Sequence, residues 1–222
     1  MKRTGVTSAL AACSLALFAG RADADEPPLN AHVLRQIAAY PTDGTHDYWW
    51  PRDGTYDGTT CDLEYAGAVV ARGEAKKRTY CCGLTFEVWL RACEAAAKKA
   101  GKEDLRIGEL DPAGLRKLKA DWYVATDLRK GPVDALVPRG LGRAIERPAD
   151  ARPGDFVQLW RKNGSGHSVI FIAWERENGK IVGIRYWSTQ PATNGIGVRI
   201  ERFEGERGVK PEEIYVVRAF AP

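Results

Sequence analysis

Two regimes of hydrophobic patterning divide the chain, and the boundary falls near Gly154. Before it, apolar residues recur at helical spacing. Leu34, Ile37 and Ala38 do so within Asn30–Ala39, with Asn30 as a cap and Pro41 just beyond. Residues 41–60 read as a long loop of Asp, Gly, Thr and aromatics. The strongest helix is predicted over 82–100: Phe86, Trp89, Cys93 and Ala97 share a face, Lys98 and Lys99 suit its last turn, and Gly101 ends it. Asp111-Pro112 opens a shorter helix to about Asp121, and Pro132 to Val137 forms another. From Gly154 onward, residues 155–161, 167–175, 180–187, 198–203 and 213–219 are rich in Val, Ile, Tyr, Phe and Trp. Asn163-Gly164-Ser165-Gly166 and Asn178-Gly179 mark tight hairpins between the first three. Helices followed by an antiparallel meander define an α+β order, with a helical front on one face of a curved sheet.

Composition narrows the class. The chain has 222 residues, 44% apolar and 28% charged, with seven Trp, eight Tyr and six Phe. This excludes disorder, and no Gly, heptad or longer repeat points to a rod or solenoid. A net charge of +4, with both signs interspersed, is too weak to argue for nucleic acid.

Residues 1–24 read as a signal peptide. Lys2 and Arg3 precede an uncharged apolar run from Val6 to Phe18, and Ala22-Asp23-Ala24 forms a small-x-small cleavage signature. The run is too short to span a bilayer, and no later transmembrane segment is expected. Acylation at Cys13 is the competing reading, disfavoured because the apolar run continues past it. The expected organisation is 25–60 as N-terminal helix and loop, then 61–222 as one domain with a helical insert over 101–150. The address is export, to the periplasm or beyond.

Export makes disulfides the default for Cys61, Cys82, Cys81 and Cys93. Geometry resists that default. Neighbouring Cys81 and Cys82 cannot bridge in ordinary backbone, and along a helix Cys93 lies about 16 Å away, against a Cα limit of ~7 Å for a bridge. Cys61 can serve one thiol, bridging Cys81, Cys82 or Cys93. At least one cysteine is left reduced and needs a reason to be so.

Cys81 supplies one. It stands at the start of the strongest helix, where partial positive charge and free N–H groups lower a thiol's pKa. Its base would come from His32, His46 or His167. His167 opens the apolar strand Ser168-Val169-Ile170-Phe171-Ile172 after a Gly-rich turn, so a rigid element holds its ring. Gln190, or Ser188 on the same face of the next strand, would orient the imidazole. Tyr48-Trp49-Trp50 is expected to staple a loop to the core. Neither zinc-type ligand spacing nor a phosphate loop occurs, so no metal and no cofactor are expected.

Tyr80-Cys81-Cys82-Gly83-Leu84 resembles the Asp-Cys-Ser-Gly-Leu opening of NlpC-type cysteine peptidases, bacterial cell-wall relatives of papain. Arg152-Pro153-Gly154-Asp155 and Gly166-His167-Ser168-Val169 are similar to that family's Pro-Gly-Asp strand and Gly-His motif, and Tyr65-Ala66-Gly67 to its upstream tyrosine. The resemblance covers residues 61 to 203. It implies a papain-like α+β fold, a Cys81–His167 pair, a Tyr65 hydroxyl lent to the oxyanion, and a monomer cleaving peptidoglycan or other peptide amides. Tyr80 and Cys82 depart from the family's Asp and Ser, and the stretch from Cys81 to His167 is long. A non-catalytic envelope-binding module with Cys81 in a disulfide, and a transglutaminase-like acyl transferase, are the other readings.

Overall fold

A computed structural model describes residues 28–51 and 53–222; the leader and Cys13 lie outside the described residues. Helix α1 (Asn30–Ala39) has the predicted bounds, but Asn30 does not cap it. Leu29 takes the cap position, and the Asn30 amide instead donates to the Pro153 carbonyl and the Asp155 carboxylate, both at 2.8 Å. A short ribbon follows, β1 (Leu63–Tyr65) and β2 (Ala68–Ala71), too brief to register as a period. Helix α2 (Cys81–Lys99) buries far more than the one face expected of it: Leu84, Val88, Leu90 and even Glu87 are sealed along with Phe86 and Trp89. A helix apolar on nearly all sides is a central helix. The buried Glu87 carboxylate is supplied with donors, accepting from the Thr60 N–H (2.7 Å), the Thr60 hydroxyl (2.6 Å) and Arg91 Nε (2.9 Å).

Helix α3 (Pro112–Trp122) is capped by Asp111, whose carboxylate accepts from the Gly114 N–H at 2.6 Å. Helix α4 (Pro132–Leu136) runs into a 3-10 turn and then β3 (Gly142–Ala144). Leu115, Leu118, Trp122 and Leu136 belong to the same apolar cluster as α1 and α2. Helices α3 and α4 therefore each add side chains to the core, and α3 ends at the Tyr123 that reaches the groove described below.

Strands β4 (Phe156–Arg161), β5 (Gly166–Glu177), β6 (Lys180–Gln190) and β7 (Gly195–Arg202) form the anticipated meander. The last strand, β8 (Val209–Ala219), departs from it by crossing back to pair with β4 and β3. The order is β3-β8-β4-β5-β6-β7, antiparallel throughout. Alternation along the strands sorts residues to two faces. Phe156, Ile170, Trp187 and Val217 pack on the helices, while Val157, Val169, Tyr186 and Val216 form a second cluster covered by Trp174, Phe203 and Ile214. Asp155, at the head of β4, is fully buried and forked by Arg218 at 2.8 and 2.9 Å. It also accepts from Asn30 and from the Arg152 N–H, so the Pro-Gly-Asp segment fastens α1, β4 and β8 together.

Candidate active site

Cys81 opens α2 because the chain before it is held extended and the chain after it cannot avoid helix. Tyr80 is extended (φ −135°, ψ 162°), and its side chain caps nothing. Gly83 allows the first turn to lie against the 41–60 loop: a Cβ there would stand 2.2 Å from the Asp57 carbonyl oxygen, and one on Gly58 (φ +73°) would enter the Tyr80 ring. Trp49 staples that loop by stacking on Tyr56 at 5.2 Å, whereas Tyr48 and the exposed Trp50 turn toward the groove.

Two buried hydroxyl pairs sew the start of α2 to the sheet. Thr79 Oγ1 donates to Thr189 Oγ1 on β6, and Thr85 Oγ1 pairs with Ser168 Oγ on β5, each at 2.8 Å. Thr85 also accepts from Trp122 Nε1 at 3.1 Å and lies 3.0 Å from the Cys81 carbonyl. One pair sits two residues before Cys81 and the other four after it. The Ser168 hydroxyl pair is next in sequence to His167, and Thr189 is next to Gln190. Cys81, His167 and Gln190 are thus brought to one groove of about 1080 Å³, with Tyr80, Cys82 and Tyr123 on the same lining.

Electrostatics single out one sulfur. The Cys82 thiol donates to Cys81 Sγ, and against the cost of burial the His167 ring and the Ser168 N–H add their support; the Cys81 thiol is held well below the ordinary range. Cys82 is pushed well above it, because it donates that hydrogen bond, is desolvated, and sits beside a negative sulfur. The first N–H groups of α2 have no intrahelical acceptor, as at any helix start. They offer donors to an oxyanion forming beside Cys81.

His167 and Gln190 are each 5% exposed. The His167 ring lies edge-on to Tyr186, with centroids 5.5 Å apart. The Tyr186 hydroxyl oxygen stands 2.8 Å from Gln190 Oε1 and 2.7 Å from Glu201 Oε1. Arg161 forks Glu201, with both contacts at 2.8 Å. Burial pushes the Glu201 carboxyl up, but Arg161 and the Tyr186 hydroxyl more than offset it, so it is held below the usual carboxylate range.

Two expected contributors are elsewhere. The Tyr65 hydroxyl donates to the Leu110 carbonyl at 2.9 Å and accepts from the Ile107 N–H at 3.1 Å; it holds the 105–110 loop and does not line the groove. The Ser188 hydroxyl is fully buried and donates to the Ser168 carbonyl at 2.8 Å, so it clamps β5 to β6 and orients no ring. His46 is bound to the Lys77 carbonyl, and neither it nor His32 lines the groove. All four described cysteines are unpaired, so the bridges weighed for Cys61, Cys82 and Cys93 are not formed. Cys93 is a core side chain whose thiol burial pushes up; Cys61 Sγ accepts from Arg91 at 3.0 Å. Tyr186, Glu201 and Arg161 escaped the sequence reading. The available signal was a charged residue at the end of each of two strands, β4 and β7.

Among the described residues, no group of three or more His, Cys, Asp or Glu side chains could hold a metal ion, and no helix is long and apolar enough to cross a membrane. Comparison of the chain with protein-family models, with curated proteins and with solved structures finds no match in any of the three.

Proposed function

We propose that this is an exported thiol hydrolase of papain-like fold, related to the NlpC-type cell-wall peptidases, that cleaves an amide bond in a peptide. The observation that carries the reading is a thiol held well below its ordinary pKa at a helix tip, beside an imidazole, in an open groove. The Cys81 thiolate adds to the amide carbonyl carbon, and the carbonyl π pair moves onto oxygen, where the first N–H groups of α2 receive it. His167, having taken the Cys81 proton, passes it to the amide nitrogen. The C–N bond then breaks, the amine departs, and a thioester remains on Cys81. His167 next takes a proton from water, whose oxygen attacks the thioester carbon; sulfur leaves as thiolate and the acid is released. Gln190 steadies the imidazole.

The groove supports an acidic peptide as substrate. Its lining carries Arg161, Arg199, Arg202 and Arg207 against Glu201 and Glu204, and the exposed Arg207 forms no ion pair among the described residues. Aromatic side chains from Trp50, Tyr80 and Tyr123 belong to the same lining. A peptidoglycan stem or cross-bridge peptide, with its free carboxylates, has that character. A binding module with Cys81 locked in a disulfide draws no support from four unpaired thiols.

Incubation of the purified protein with isolated cell wall tests the reading, with new amino groups counted over time. Release is expected from the parent chain and none from Cys81→Ser, whose fold is retained. Equal release from both would refute it.

A further inference from the structure

Three helical segments end in one motif, and at only one of the three does the residue at the turn carry a side chain. Where a helix stops, a residue in the left-handed region lets two N–H groups reach back to the last carbonyls. Glycine is its usual occupant, because a Cβ is costly there. Gly101 (φ +74°) closes α2, with its own N–H on the Lys98 carbonyl and the Lys102 N–H on the Ala97 carbonyl. Gly140 (φ +68°) closes the 3-10 turn after α4 in the same way, through the Val137 and Leu136 carbonyls. At the end of α3 the same pair of bonds forms, from Val124 to Asp121 at 3.1 Å and from Ala125 to Ala120 at 3.0 Å. There the residue at the turn is a valine, at φ +54°.

A β-branched residue rarely adopts this conformation. Among the described residues Val124 is the one that does; the other non-glycine cases are Ala66, Lys77, Asn178 and Asn194. Such strain persists where something else compensates for it. Core packing does not, since Val124 belongs to neither apolar cluster, although Trp122 and Tyr123 before it pack in or against the first. Half-buried, it lines the groove that holds Cys81, whereas Gly101 and Gly140 lie away from that groove. Trp160, on the same lining, is tied to the segment after Val124: its Nε1 donates to the Arg129 carbonyl at 2.9 Å, and the Arg129 guanidinium lies 4.1 Å over its ring. Glycine thus stands where the turn is remote from the groove, and valine where the turn borders it.

We infer that Val124 is a specificity residue of the groove, whose methyl groups receive an aliphatic side chain of the bound peptide beside the arginines that receive its carboxylates. The inference rests on the proposed peptide hydrolysis and narrows it to peptides in which an aliphatic residue accompanies acidic ones. Taking substrate methyl groups out of water against an apolar wall favours them over glycine by about 10-fold or more. Val124 has no group that exchanges a proton, so it acts on the choice of substrate and not on the chemical step.

The test replaces Val124 with Gly and with Asn, the residues that best tolerate the left-handed region, and reads stability and substrate choice on the full chain. Relief of strain should raise Tm by about 2–4 °C in Val124→Gly. Substrate choice is read on a mixture of hexapeptides of Glu and Ala in which each position in turn is varied among Gly, Ser, Ala, Val and Leu, with new termini identified by mass spectrometry. At one position the parent should cleave the Val and Leu members about 10-fold faster than the Gly member. In both variants that ratio should fall toward one. An unchanged ratio would free the valine from substrate, and a Tm that falls in Val124→Gly would assign it to folding. A ratio lost in Val124→Gly alone would assign it to a loosened turn. Each of these overturns the inference and leaves the hydrolase reading intact. A parent that cleaves no member also overturns it, and amine release from isolated cell wall then decides whether the hydrolase reading falls as well.

Discussion

Replacing Thr85 with Val tests whether the seam between α2 and the sheet is what holds Cys81 to its partner. The two side chains have the same shape, so the change removes one hydroxyl and little else. That hydroxyl accepts from Trp122 Nε1 and pairs with Ser168 Oγ, on residues 0% and 1% exposed, so two buried polar groups lose a partner. Each such loss costs about 1–3 kcal/mol. The Cys81 and Cys82 carbonyls keep their helical bonds, and the new methyl is buried. Stability should therefore fall by about 3 kcal/mol, in the lower half of the summed range. For a chain of this length that lowers Tm by about 6–12 °C. Loosening Ser168 also withdraws its N–H from Cys81 Sγ. The depressed Cys81 pKa then rises toward the unperturbed thiol value, so alkylation slows at pH 6 and is unchanged at pH 9, where the thiolate forms in either case. Urea unfolding and pH-dependent alkylation measure the two effects, with Thr85→Ser as the control that keeps the hydroxyl. A loss below about 1 kcal/mol, or equal losses in Thr85→Val and Thr85→Ser, would refute the argument.

Arg218→Met strips two charge-assisted bonds from the buried Asp155 and should cost about 3–5 kcal/mol by urea titration. The Cys81 alkylation profile should be unmoved, since neither residue lines the groove. Tyr65→Phe leaves the Ile107 N–H and the Leu110 carbonyl unpartnered and should cost about 2–4 kcal/mol, the lower half of the summed range, with hydrolysis per folded molecule unaltered. A fall in kcat without a fall in stability would return Tyr65 to the site.

Where the sequence was legible, one local rule was enough. Asn30–Ala39 followed from apolar spacing, Pro112–Trp122 from its Asp-Pro start, and the β4–β5–β6 hairpins from Gly-containing turns between β-branched runs. The return of β8 to β4 was not legible, because strand order is decided by which apolar faces can be covered together. Tyr65 and Ser188 were misjudged for a related reason. A hydroxyl in a strand says nothing about which carbonyl it will meet, and both found backbone partners. Asn30 looked like a cap and was instead drawn to Asp155, where a buried carboxylate outbids a solvated helix end. Cys81, His167 and Gln190 do meet in one groove, and each is tied to an element boundary: a helix start, a strand start and a strand end.

The four cysteines carry the point further, since one side chain has four different fates here. Cys93 is surrounded by apolar groups on α2, and burial keeps its proton in place. Cys61 meets the Arg91 guanidinium at the far side of the Glu87 network. Cys82 faces the groove but spends its hydrogen on its neighbour. Cys81 alone combines a helix start, a donor thiol, a backbone N–H and an imidazole. Removing any one of these supports weakens the thiolate without abolishing it, whereas sliding α2 by one residue would exchange the roles of Cys81 and Cys82. The Thr79–Thr189 and Thr85–Ser168 pairs are what forbid that slip, because both would have to break together. The register of the helix against the sheet, set by four small hydroxyl side chains with no catalytic signature of their own, thus determines which of two adjacent thiols is held below the ordinary range.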